Sequence, residues 1–303
     1  MRSGPIVLWT ALAALALVDL AACRALGLSF ANWLPFLSAT GAIAALGLVY
    51  GLTGRSAQIA SMANGVLLWM VFSLLASILT YAVAGLGGPL YDNALAHADT
   101  ALGFDWLAWY DLVAGHPVLR LTLWLAYSSL MPQILMSVFW FSLVGWEHRN
   151  TELLVNAALA LLLTTILFHL FPALGPGTLM ASFRDAYIDE LVGLRSGSLQ
   201  SVNLMHLKGV IAFPSYHAVL AILFTYAHRR SWPFIPLVVV NGLMLISIPS
   251  EGGHYLVDVF LGAVVAGLTI LATSALIQRQ KRLPPIYPEP APPDRFPVEG
   301  GMR

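Results

Sequence analysis

Gly252-Gly-His-Tyr-Leu-Val-Asp258 runs without a break into an apolar segment that continues to residue 276. The glycines close one hydrophobic run and the histidine opens the next. Asp258 follows His254 by four residues, so the two side chains share one face of a helix. Upstream, Gly209-Val-Ile-Ala-Phe-Pro-Ser-Tyr-His217 has the same plan: a non-helical stretch enters an apolar segment, with a histidine in its first turn. Two imidazoles and a carboxyl group at the mouth of a membrane bundle are suited to attacking and protonating a phosphate ester.

Composition sets the class. Of 303 residues, 58% are hydrophobic and 10% charged, where a soluble domain carries about 25% charged residues; the mean hydropathy is +0.78. Apolar runs of membrane-spanning character occur eight times, at 5–26, 36–53, 61–84, 119–145, 151–171, 213–228, 232–249 and 254–276. The sixth is only 16 residues long, and its start is expected to reach back towards Phe213. The fourth contains Pro132, which packed membrane helices tolerate, and reads either as one span or as a short helix followed by one. The expected fold is an all-α polytopic membrane protein of about eight transmembrane helices. Basic and acidic residues balance at 15 each, which leaves no electrostatic footprint for nucleic acid. Cys23 is the single cysteine, so neither an intramolecular disulfide nor a cysteine-based metal cluster can form.

The basic residues orient the bundle. Arg2, Arg55, Arg149, His228-Arg-Arg230 and Arg279-Gln-Lys-Arg282 fall on one side of an eight-span chain, whereas 86–117 carries Asp92, Asp99, Asp105 and Asp111 and no lysine or arginine. The positive-inside rule puts both termini in the cytoplasm and the 172–212 loop and 250–253 turn outside. Both histidine motifs then open on one extracytoplasmic face, with the plasma (inner) membrane as the expected location. A rival reading of the amino terminus takes Leu20-Ala-Ala-Cys23 as a lipoprotein processing site; Asp19 and the single preceding basic residue count against it. Residues 86–117 mix Phe104, Trp106, Trp109 and Tyr110 with the aspartates and read as a helix lying in the interface. Prolines and glycines in Phe171-Pro-Ala-Leu-Gly-Pro-Gly177 end the fifth span. The chain divides into N-terminal transmembrane helices (1–60), a catalytic membrane domain (61–278) and a proline-rich, disordered cytoplasmic tail (279–303).

Chemistry follows from placement. His254 falls in the first turn of the last span and Asp258 one turn deeper, where it can accept from one ring nitrogen and leave the other unprotonated. His217 lies three residues after Pro214, with Ser215 as a helix cap. The free amides of that helix start, the Ser215 hydroxyl and the nearby Lys208 would receive phosphate oxygens. Two histidines and a carboxylate also fit a metal site, but no further ligand cluster stands close by in the sequence. A transporter or scaffold with histidines along a path is the non-enzymatic reading. Intramembrane charges beyond Asp19 and Asp258 are scarce, and no inverted pair of broken helices is evident.

Phe213-Pro-Ser-Tyr-His217 with His254-Tyr-Leu-Val-Asp258 resembles the motif pair of the PAP2 superfamily of membrane lipid phosphatases and phosphotransferases. Within it, the branch of inositolphosphorylceramide synthases and other inositolphosphotransferases is the most similar. The resemblance covers roughly 209–270; Phe171-Pro-Ala-Leu-Gly-Pro176 looks like that branch's proline-bearing first motif, and Gly103-Phe-Asp-Trp106 is also similar to stretches in these proteins. It implies a six-helix PAP2-like bundle, with His254 as a nucleophile that becomes a phosphohistidine, Asp258 orienting it, and His217 protonating the departing oxygen. The chain departs from the phosphatases twice: it has no Lys-x6-Arg-Pro motif, and Ile248 stands where they carry an arginine six residues before the last histidine. Phosphate charge then falls to Lys208, Ser215, backbone amides or the loop arginines Arg184 and Arg195. The expectation is a phosphotransferase moving an inositol-phosphate-type headgroup between lipids. It would need no cofactor or metal, and would work on a lipid phosphoester with a water or alcohol acceptor. A PAP2-type lipid phosphate phosphatase is the alternative.

Overall fold

Helix lengths follow the apolar runs. The computed structural model describes residues 3–179 and 186–282, with side chains over 6–178 and 188–279; Arg184 and the tail from 283 onward lie outside them. The helices are α1 (Ser3–Leu26), α2 (Trp33–Thr53), α3 (Ala57–Gly85), α4 (Asp92–Ala101), α5 (Trp106–Gly115), α6 (Pro117–Ser128), α7 (Leu130–Leu143), α8 (Glu147–Leu170), α9 (Ala186–Ser196), α10 (Tyr216–Ala227), α11 (Phe234–Glu251) and α12 (Leu256–Arg282). The short strands β1 (Ser29–Ala31) and β2 (Ser201–Asn203) pair in parallel, Ser29 opposite Ser201. The fold is an all-α membrane architecture.

Among the described residues six helices, α1, α2, α3, α8, α11 and α12, are each long and apolar enough to cross a membrane, and α6 with α7, bent by 47°, makes a seventh if the pair is one span. The break falls at Ser129, between the two helices and three residues before Pro132. A proline ring clashes with the carbonyl four residues earlier, here that of Ser128, so α6 stops there. The eighth apolar segment is helical only over Tyr216–Ala227. Its start lies after Phe213, not at it, because Pro214 holds the residue before it extended. Ser215 is the cap, its hydroxyl accepting from the Ala218 amide at 3.4 Å. The resulting 12 residues give about 18 Å of helix against a hydrocarbon core of roughly 30 Å.

Helix α10 can be this short because protein surrounds it. Val219, Leu220, Ala221, Leu223 and Phe224 lie in one buried cluster with residues of α1, α3, α7, α8, α11 and α12. Gly262 of α12 sits so close that an added Cβ would lie 2.5 Å from the Ser215 carbonyl and 2.9 Å from the Ala218 Cβ. Three polar contacts bridge helices inside the bundle: Gln133 to Asn241 at 2.9 Å, Asn241 to Thr225 at 2.9 Å and Thr273 to Asn156 at 3.0 Å. Small polar side chains that bond across helices hold membrane bundles together where the hydrophobic effect does not. Helix α2 packs on α3 and buries none of its residues.

The two ends of the bundle differ in charge. At one, Arg149 donates to the carbonyls of Ala227 and Arg229, and Arg229 pairs with Glu152 at 2.9 Å. At the other, α4 meets the residues that follow α8 and those that open α12. The expected interfacial helix over 86–117 is two helices, α4 and α5. Gly103, at φ 75°, lies between them, and Asp105 caps α5 by accepting from the Ala108 amide at 3.0 Å.

Candidate active site

His254 is fixed by its backbone neighbours before any helix begins. Gly253 takes φ 63°, a turn that a side chain would strain, and delivers the ring into the bundle with 5% of its surface exposed. Nδ1 lies 2.5 Å from the Ala212 carbonyl and 3.2 Å from Asp258 Oδ2. Both partners accept, so Nδ1 carries the proton and Nε2 keeps the lone pair. The carbonyl is the nearer partner; orientation by Asp258, the role expected from the i,i+4 spacing, is therefore shared with a peptide group 42 residues away in sequence. Burial pushes the His254 imidazole down to about 4, against the opposing pull of the Ala212 carbonyl. The ring is neutral at neutral pH, and its contact with Asp258 is a hydrogen bond to a neutral donor.

Asp258 also shapes the turn. Its Oδ2 accepts from the Tyr255 amide at 2.9 Å, and its carbonyl accepts from the Ser215 amide at 3.1 Å. The second bond ties the start of α12 directly to the cap of α10, so the two histidine motifs are joined through the backbone.

His217 is held differently. Its ring stacks on Tyr127 of α6, with centroids 4.4 Å apart and planes 14° from parallel. Gly252 separates the two histidine walls: an added Cβ would stand 2.9 Å from His254 Cδ2 and 3.1 Å from Tyr127 Cε2. His217, His254, Tyr127 and Lys208 line one cavity of about 580 Å³, closed by α3, α7 and the 207–212 segment. An apolar groove over Met131, Phe139 and Leu143 carries no titratable group.

The expected phosphate-binding residues fare unevenly. Lys208 lines the cavity, its Nζ 3.7 Å from Glu190 Oε1. Glu190 also accepts from the Tyr81 hydroxyl, which in turn accepts from the Lys208 amide at 3.1 Å. Ser215 is fully buried, serves as the α10 cap and is not in the cavity wall. Arg195 is half-buried, donates to the Gly88 carbonyl at 2.5 Å and is not in the wall either. Among the described residues no group of three or more His, Cys, Asp or Glu side chains is placed to hold a metal ion.

Two residues read from the sequence only as topology markers turn out to frame the site. Asp99 accepts from the amides of Leu256 and Val257 at 2.8 and 2.9 Å, capping α12 from another helix. Burial raises its carboxyl while these amides lower it. Asp92 takes the Gly175 amide at 2.8 Å, the Leu174 amide at 3.1 Å and the Tyr255 hydroxyl at 3.3 Å. Burial first, then Asp92, pushes that hydroxyl upward. One face of α4 thus clamps Phe171-Pro-Ala-Leu-Gly-Pro176 to the start of α12. The spacing of seven, two helical turns, was the available signal.

Residues 93–272 match the PAP2 superfamily, from α4 to the middle of α12. The chain belongs to this superfamily. The match covers more than half of the 303 residues and places the protein with lipid enzymes of the phosphatase and phosphotransferase type. It does not single out the inositolphosphotransferase branch. No curated protein and no solved structure matches the chain significantly.

Proposed function

We propose that the protein is a membrane lipid phosphotransferase that works through a phosphohistidine, moving an inositol-phosphate-type headgroup between lipids. The observation that carries this is a single cavity lined by two histidines, one of which has Nδ1 tied to a carbonyl and Nε2 left with its lone pair. In the first step the Nε2 pair of His254 attacks phosphorus and the P–O bond to the departing alcohol breaks. His217, charged once the anionic phosphate sits beside it, gives its proton to that oxygen. In the second step an acceptor O–H returns a proton to His217 as the new O–P bond forms and the N–P bond breaks, restoring His254. Water as acceptor makes the same protein a phosphatase, the second reading.

Lys208 supplies the one lysine or arginine charge on the cavity wall among the described residues; the phosphate is met by that ammonium and by amides of the 207–212 segment. The distribution of arginine and aspartate supports an extracytoplasmic cavity mouth with cytoplasmic termini, and a cysteine placed near Ser250 should react with an impermeant reagent on intact cells. The deciding experiment gives purified protein a labelled lipid phosphoester with lipid alcohols and inositol as acceptors, in excess chelator. Exchanged lipid formed faster than water-released headgroup phosphate (inositol phosphate from an inositol lipid, free phosphate from phosphatidic acid), with acid-labile label on His254, is the expected result. Water-released phosphate alone across the acceptor panel makes it a hydrolase of the phosphatase type; a chelator-sensitive activity restored by one metal removes the metal-free route.

A further inference from the structure

Helix α3 walls the histidine cavity yet lies wholly before residue 93, where the superfamily match begins. Its cavity face is Trp69, Phe72, Ser73, Ala76, Ser77 and Thr80, spaced as a single helical stripe. Half of that face is hydroxyl, and Ser73 to Thr80 covers about 10 Å of helix axis. The direction of these hydroxyls matters more than their number. Ser77 Oγ donates to the Ser73 carbonyl at 2.9 Å, and Thr80 Oγ1 to the Ser77 carbonyl at 2.7 Å. A hydroxyl has one proton to give, so these two turn only lone pairs towards the cavity.

An ionised phosphate is all acceptor and gains nothing from such a surface. A polyol brings several O–H donors and matches it. The groups suited to phosphate, Lys208, His217 and His254, stand on the other walls of the same cavity. The same cavity thus offers a cation, two imidazoles and the Glu251 carboxyl group from other segments, and hydrogen-bond acceptors from α3.

We propose that Ser73, Ser77 and Thr80 form a polyol subsite, seating a group with several hydroxyls next to the reacting phosphate. The inference rests on the phosphoryl-transfer reading above and names the residues that select the headgroup. The polyol arrives either already esterified to the phosphate or as the free acceptor, and both present the same donors.

The test uses purified full-length protein, wild type and the combined Ser73→Ala, Ser77→Ala, Thr80→Val variant. One arm compares phosphoenzyme formation from phosphatidylinositol and from phosphatidic acid of the same acyl chains. The other measures how phosphoenzyme made from phosphatidic acid partitions between myo-inositol and water. Loss of two or three neutral hydrogen bonds lowers the polyol preference by about tenfold or more. A fall on the first arm identifies the carried headgroup as the occupant, and a fall on the second identifies the acceptor. Each readout is a ratio within one preparation, so a lower yield of folded protein cancels. Thr80→Ser keeps the hydroxyl and should keep the wild-type ratios. Unchanged ratios in the combined variant, beside a wild type that favours the polyol, overturn the subsite and leave transfer standing. A wild type indifferent to the polyol on both arms overturns both.

Discussion

The two histidines face one cavity but are mounted in opposite ways. His254 is gripped at Nδ1 by a carbonyl and a carboxyl group, and its turn is pinned by Asp99, Asp92 and the Ser215 amide. His217 rests face to face on Tyr127, a contact that fixes the plane of a ring while leaving its edge free. A nucleophile needs one tautomer and one line of attack, which hydrogen bonds supply. A group that gives a proton and then takes one back must tolerate both charge states, and an aromatic face accepts either.

Breaking the rigid side should cost most. His254→Ala is expected to remove the phosphoenzyme and lower turnover by at least about 10⁴-fold, read by gel autoradiography with helical content unchanged. His217→Ala should lose about 10²–10⁴-fold on natural lipid alkoxides and far less on nitrophenyl esters, whose leaving group needs no proton. Equal losses on both would assign His217 to binding. Asp258→Asn tests how the grip on His254 is shared: the Ala212 carbonyl still holds Nδ1–H, so a loss smaller than the about 10⁴-fold of a triad whose carboxylate acts alone is expected, with the phosphoenzyme still detectable. Asp99→Ala removes a helix cap of a type worth about 1 kcal/mol, and should cost around tenfold in rate together with a lower melting temperature.

The smallest effect is in pH. With its proton affinity lowered to about 4 by burial, His254 stays unprotonated as pH falls through the usual imidazole range. Phosphoenzyme formation from a nitrophenyl ester, which does not draw on His217 as an acid, should stay flat from pH 8 to about 5 and fall as pH approaches 4. Stability has the same sign: the unfolded chain takes up the proton first, so this group's contribution declines as pH drops below about 6.5. A rate that halves near pH 6.5 would show that burial does not keep His254 neutral.

Much of this was legible in the chain because membrane helices announce themselves by apolar length, and prolines mark where they stop. The 61–84 and 151–171 runs became α3 and α8 with ends displaced by four residues or fewer. Ser215 was readable as a cap because capping is local. Its expected second use, on phosphate, could not be checked locally, since burial depends on how closely Gly262 brings α12. Asp92 and Asp99 looked like charge on the outer side because their partners lie between 82 and 163 residues away. Tyr127 carried no local signal at all, its role arising from the bend at Ser129 that turns α6 towards α10 and α11.

The brevity of α10 carries a consequence for where the reaction happens. Arg149 holds the end of this helix at the Ala227 carbonyl, among the charges of one membrane surface. With that end at the edge of a hydrocarbon layer roughly 30 Å thick and the helix upright, His217, ten residues along, would stand about 15 Å above it and as far short of the opposite edge. The headgroup must therefore sink below its neighbours to react, and that descent lengthens as the bilayer thickens. Hydrophobic mismatch, a property of the host membrane and not of the substrate, then becomes a control on rate: the same protein should work faster in short-chain bilayers than in long-chain ones.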